Sequence, residues 1–265
     1  MLRHAPRGRE RCFEWPYCAV QSREATTATK ARKQAAPTVQ GVLIPESWKK
    51  IPRLLAGFGD RRTPRPQRAV SVRQVHGARV VAVDRYCPGH YEQIEADALT
   101  VTRAGVVASV RTADCVPILL VEPVAQWAAA VHAGWRGTLA GVVREAIAAA
   151  ARAGCRVDRL EAALGPAIGP CCYEIGNDVA RRFEAAGFPV LRATGRLRLD
   201  LKEINRRVLL EAGLRADAIH QCGPCTSCRC DRYWSFRAQG GRCGRQWSWI
   251  GWASRCSETD HSASL

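Results

Sequence analysis

No stretch of this sequence stays apolar for the ~18–20 residues that cross a bilayer, which excludes a membrane-spanning helix. The opening residues, Met-Leu-Arg-His-Ala-Pro-Arg-Gly-Arg, also lack the apolar segment of about 7–15 residues that a secretory signal requires. A cytoplasmic protein with no membrane partner is therefore expected. Acidic residues are scarce beside basic ones, 24 against 40, for a formal charge of +16. A basic excess can mark a nucleic-acid binder when it clusters on a folded face. Here residues 1–73 contain 16 Lys/Arg and 5 Asp/Glu and so hold +11 of the +16, which makes the excess a property of the front end. No nucleic-acid partner is expected.

What remains is the profile of a soluble globular chain. It is 47% apolar, and its 265 residues suffice for one large α/β domain. Residues 24–38 mix Ala, Thr, Lys, Arg and Gln with little apolar periodicity, so residues 1–38 read as a basic, disordered extension. A catalytic domain is expected over 39–253 and a polar, frayed tail over 254–265. Thirteen cysteines would suggest a disulfide framework in a secreted chain. Without a signal segment they read as thiols and thiolates.

Alternation and β-rich runs bounded by Gly, Pro and Asp predict strands at Ala69–Val75, Val80–Val83, Ala98–Thr102, Val106–Val110, Val116–Val121 and Trp127–Val131. Across Thr138–Ala153, the spacing of Leu139, Val142, Val143, Ala146, Ile147 and Ala150 predicts an amphipathic helix, with Gly154 to end it. A strand at Leu160–Leu164 and helices at Asn177–Ala186 and Leu201–Ala212 follow. The alternation indicates an α/β fold.

Three segments place unusual side chains at strand ends or turns. They are Arg73-Gln74-Val75-His76-Gly77, Arg111-Thr112-Ala113-Asp114-Cys115-Val116-Pro117 and Val131-His132-Ala133-Gly134-Trp135-Arg136-Gly137. Two imidazoles and a thiolate are natural zinc ligands, and three protein ligands with a fourth position open characterise catalytic zinc. The residues alone leave a plainer reading open. A strand-end His is commonly a satisfied polar group, and a Cys before Val-Pro-Ile-Leu-Leu is commonly a small hydrophobe. Later, Cys222, Cys225, Cys228 and Cys230 have metal-ligand spacing that permits a second zinc, with free or reversibly oxidised thiols as the alternative.

These three segments occur together with Ala96-Asp97-Ala98-Leu99, with Leu164-Gly-Pro-Ala-Ile-Gly-Pro-Cys171-Cys172-Tyr173-Glu174, with Leu199-Asp200-Leu201, and with Tyr233-Trp-Ser-Phe-Arg237. In that order they resemble the family of multicopper polyphenol oxidoreductase or laccase-domain proteins, also described as peptidoglycan editing factor and as purine nucleoside phosphorylase. The resemblance runs from about Leu54 to Trp252. It implies a layered α-β-β-α single domain with mixed sheets, similar in fold to cytotoxic necrotizing factor deamidases. It also implies one catalytic zinc on His76, Cys115 and His132.

The implied activity is phosphorolysis of adenosine, inosine and methylthioadenosine, together with adenosine deamination. The small-molecule partners would be purine nucleosides and phosphate, bound by a monomer or homodimer. Editing of cell-wall precursors and a metal-free Cys-His hydrolase or deamidase are the alternatives. Four-copper oxidation is disfavoured by composition, since it needs roughly ten imidazoles and the chain has six histidines. Asp114 is expected to move a proton or orient a ligand imidazole. Arg73 and Arg136 are the expected phosphate contacts, because guanidinium offers paired donors. Gln74, Cys172, Tyr173 and Arg237 complete the expected substrate contacts, and Gly134 and Gly137 are read as allowing tight turns. Ala238 departs from a second Arg common in the family.

Overall fold

Every residue of the apolar runs Val116–Glu122 and Trp127–Ala133 is buried. A strand buried on both faces must lie inside a stack of layers. The computed structural model, which describes residues 41–254, shows those layers; the expected extension 1–38 and all of the expected tail except Ser254 lie outside the described residues.

In chain order the elements begin with β1 (Leu54–Phe58), β2 (Ala69–Val70), β3 (Val80–Val83), β4 (Ala98–Val101), β5 (Val106–Thr112), β6 (Val116–Glu122) and β7 (Trp127–Ala133). Next come α1 (Trp135–Ala140), α2 (Val142–Arg152), β8 (Glu161–Leu164), α3 (Asn177–Ala185), β9 (Leu191–Ala193) and β10 (Arg196–Arg198). The series ends with α4 (Leu201–Glu211), β11 (Ile219–Gln221), α5 (Phe236–Gln239) and β12 (Gln246–Trp252). A six-stranded sheet has the order β11-β8-β6-β7-β4-β3, a four-stranded sheet the order β1-β12-β5-β2, and β9 and β10 form a hairpin. Both larger sheets are mixed, with β8–β11, β2–β5 and β3–β4 parallel among antiparallel neighbours.

Period-two alternation divides the central strands between two cores. Ile118, Leu120, Ala129 and Val131 face α2 and α4, meeting Val142, Val143, Ala146, Ile147, Ala150, Ile204 and Val208. Leu119, Val121, Ala128 and Ala130 face the four-stranded sheet, meeting Val70, Val106, Ala108, Val110, Ile250 and Trp252. Each fully buried Val, Leu or Ile contributes about 1.5–3 kcal/mol, which makes these opposed faces the principal reason for the layering. The expected mixed α/β domain is observed.

Local differences have identifiable causes. The expected strand at Ala69–Val75 stops at Val70. Beyond it Arg73 pairs its backbone with Glu95, and the next amides turn to a side chain described below. The expected helix across Thr138–Ala153 is broken at Gly141, whose φ of 85° is left-handed and closes α1 before α2 begins. Asp200 caps α4 by accepting from the Glu203 amide at 3.0 Å.

Candidate metal centre and active site

Strand register brings the site together. The start of β6, the end of β7 and the start of β4 lie side by side, because Val116 pairs with Ala133, Pro117 with His132 and Ala98 with Val131. Cys115 immediately precedes β6, Asp97 immediately precedes β4, and His132 stands near the end of β7. His76 joins them from the turn between β2 and β3. One ligand atom from each of His76, Cys115 and His132 lies within 4.8 Å of the others. The two imidazole rings meet edge to face with centroids 4.8 Å apart, and Cys115 Sγ is 4.0 Å from His76 Nε2.

Asp97 organises this group. Its side chain is fully buried and accepts from the backbone amides of Val75 (3.2 Å), His76 (2.9 Å) and Gly77 (2.7 Å), and from His132 Nδ1 (2.8 Å). A carboxylate on Nδ1 fixes the hydrogen there and leaves Nε2 as the ligand nitrogen. The same carboxylate supports the left-handed turn at His76, where φ is 62°. Such a conformation costs a non-glycine residue energy that its surroundings must offset. Sequence reasoning gave Asp97 no role, because an acid at a strand start is ordinarily a turn residue and its partners are 20 to 35 positions away. The recurrence of Ala96-Asp97-Ala98-Leu99 among the resembling segments was the available signal.

Gly134 fits the group in a way the sequence did not indicate. Its backbone is extended, with φ −77°, so no tight turn requires glycine. A Cβ there would lie 2.9 Å from His76 Cδ2 and 3.0 Å from Cys115 Sγ. The missing side chain makes room for the ligands. Together with the soft-plus-borderline donor set, this cradle fits a bound zinc ion.

Electrostatics agree with a strongly coupled site. Burial disfavours the Cys115 thiolate, but hydrogen bonds from His132 and His76 outweigh it and bring the pKa down to about 6. Burial likewise opposes charge on His132, yet its bonds to Asp97 and Cys115 raise its pKa to about 9. Burial, and next the charge of Cys115, push the Tyr173 phenol up to about 12.

The other expected residues divide. Arg136 stacks over Trp135 at 4.3 Å, and the Arg237 guanidinium lies 5.6 Å from the Tyr173 ring centroid. Both cations act on that phenol. Arg237 also donates to the carbonyls of Cys172 and Glu174. Arg73 is exposed and bridges Glu95 at 3.0 Å. Gln74 uses its amide to bond the backbone of Arg111 in both directions, at 2.9 Å each. The Asp114 carboxylate accepts from Thr226 Oγ1 and from the Arg237 amide, both at 2.7 Å, so the imidazole contact foreseen for it falls to Asp97. Asp114, next to Cys115, has φ 91° and so, like His76, is a non-glycine residue in a left-handed conformation. Cys172 directs its sulfur to Cys228 at 3.4 Å.

Residues 57–253 match the family described as Multi-copper polyphenol oxidoreductase laccase. The chain belongs to that family. Among relatives of this laccase-type chain is the adenosine deaminase RL5 of an unknown prokaryotic organism, 39% identical over 183 residues, with 64% of this chain and 70% of the relative covered. A purine nucleoside phosphorylase of Deinococcus radiodurans is 42% identical over 143 residues, covering 53% of this chain and 54% of the relative. The chain thus spans between about half and about seven tenths of the length of these curated relatives. The crystal structure of YlmD from Geobacillus stearothermophilus superposes with a TM-score of 0.73 at 27% identity, over 83% of this chain and 98% of that one.

Proposed function

We propose that the chain is a zinc-dependent purine nucleoside enzyme that phosphorolyses adenosine, inosine and methylthioadenosine and deaminates adenosine. The domain over 39–253 would carry the activity, in the cytoplasm, on small molecules rather than nucleic acid. The observation that carries the reading is the convergence of His76, Cys115 and His132, with Asp97 setting the His132 tautomer. The names of the relatives, purine nucleoside phosphorylase and adenosine deaminase, support the substrate class.

Zinc bound to those three residues would supply Lewis acidity to an oxygen nucleophile. The chain's own residues do the rest. Asp97 holds the Nδ1 proton and keeps the ligand imidazole oriented. Arg136 and Arg73 would present guanidinium donors to phosphate as it attacks the sugar carbon and the purine departs. Tyr173, kept protonated by its surroundings, donates to the nucleoside, and Arg237 fixes that ring and its loop.

The test is chromatography of adenosine and inosine incubations with and without phosphate. Ribose-1-phosphate is expected only with phosphate, inosine is expected from adenosine in either case, and His132→Ala and Cys115→Ala should abolish both. Full activity in either variant would sink the proposal.

The low pKa of Cys115 beside His132 favours a second reading, a metal-free thiolate–imidazole hydrolase or deamidase. Chelation separates the two. It stops a zinc enzyme, whereas a thiolate enzyme keeps working without metal until it is alkylated.

A further inference from the structure

The late cysteines do not form the set their spacing suggested. Cys222 and Cys230 stay apart, and Cys225 and Cys228 join Cys171 and Cys172 from the loop after β8, with all four sulfurs within 4.8 Å of one another. Cys228 Sγ is 3.4 Å from both Cys171 Sγ and Cys172 Sγ. That is far beyond the about 2.05 Å of a disulfide and close to the about 3.8 Å edge of a tetrahedron with 2.3 Å metal–sulfur bonds.

We infer that Cys171, Cys172, Cys225 and Cys228 form a second metal site, a four-thiolate structural zinc centre separate from the His76–Cys115–His132 group.

The backbone around the sulfurs is built for it. The Gly169 amide donates to Cys225 Sγ at 3.2 Å, the kind of bond that stabilises a ligating thiolate. A Cβ on Gly169 would lie 3.3 Å from both Cys171 Sγ and Cys225 Cβ, so the glycine lets the two segments close. Ala167 and Cys225 form a β-bridge, and the Thr226 amide donates to the Ala167 carbonyl at 3.0 Å. Arg198 donates to the carbonyls of Pro170 and Cys171, and Arg237 to that of Cys172, placing cations beside a site whose four thiolates exceed the charge of the ion. Four thiolates with no open position are the signature of structural zinc. The site would staple the loop 165–174 to the segment 222–230. Its neighbour Thr226 holds Asp114, which precedes the ligand Cys115.

Metal analysis of the full-length protein, produced with zinc, tests the inference. Two zinc ions per chain are expected in the wild type, one in Cys225→Ser/Cys228→Ser, and one in His76→Ala/His132→Ala. One ion in the wild type, retained by the thiol variant, would overturn it. A measurement on unaltered protein covers the case in which the thiol variant fails to fold. Alkylation is followed by peptide mapping, with zinc or with chelator present. Zinc should protect Cys171, Cys172, Cys225 and Cys228 and leave Cys222, Cys230 and Cys243 equally reactive in both. Equal labelling of the four under both conditions, or a zinc-independent disulfide joining Cys228 to Cys171 or Cys172, would refute the site. Retention of this ion in a protein without nucleoside turnover supports the inference while sinking the proposed activity, so the two claims fail separately.

Discussion

Four hydrogen bonds converge on the one buried carboxylate of Asp97. Asp97→Asn puts an amide NH₂ where an acceptor is needed, at about 1–3 kcal/mol for each buried donor left unmatched. Zinc affinity in that variant should fall about 10–100-fold, the usual effect of losing a ligand's supporting carboxylate, as read by competition with a chromophoric chelator. Unchanged affinity would remove Asp97 from the metal centre. Cys115 gives a pH-dependent prediction. In metal-free protein its alkylation rate should climb through a midpoint at about pH 6 and level off above it, whereas an ordinary thiol keeps accelerating beyond about pH 8. Peptide mapping identifies the labelled cysteine. At this scale the residue types alone left His76, Cys115 and His132 open to a plainer reading, and it was the resemblance of their three segments that singled them out as a metal set. Asp97 was not singled out, since only the folded register shows that its partners are adjacent.

Among the elements, α2 and the strands β3 to β7 were readable because burial stamps its period on the sequence: alternation or an unbroken apolar run in strands, and the Val142–Ala150 stripe in the helix. The short strands β9, β10 and β11, three residues each, are too brief to show a period, and β12 mixes Trp with Gly and Ser. Loop geometry was the least legible, and two glycines show why. Gly141 is needed for its left-handed φ, with nothing within 4 Å of a would-be Cβ, while Gly134 is needed for space alone. Gly141→Ala should therefore cost about 1 kcal/mol of stability and leave metal binding intact. Gly134→Ala should push His76 and Cys115 apart and lower zinc occupancy with little loss of stability. Metal content and urea midpoints measured on both variants check the contrast, and equal metal loss in the two would contradict it.

At the scale of the whole molecule, stability resides in the packing between the two sheets. Leu119 is fully buried there, and Leu119→Ala should cost about 2–5 kcal/mol through lost transfer energy and the cavity left behind. Val124, 77% exposed, is the matching control and should shift the urea midpoint negligibly when changed to Ala. The last strand also has a consequence for how the protein is made. Because β12 is inserted between β1 and β5, pairing Trp252 with Leu54 on one side and with Val106 on the other, β1 must wait with an open edge until residue 252 has been synthesised. A nascent chain arrested before residue 246 leaves the edges of both β1 and β5 exposed to neighbouring polypeptides. Closure of the four-stranded sheet therefore waits on β12, and the interval before it is when these two unpaired edges invite pairing with other strands.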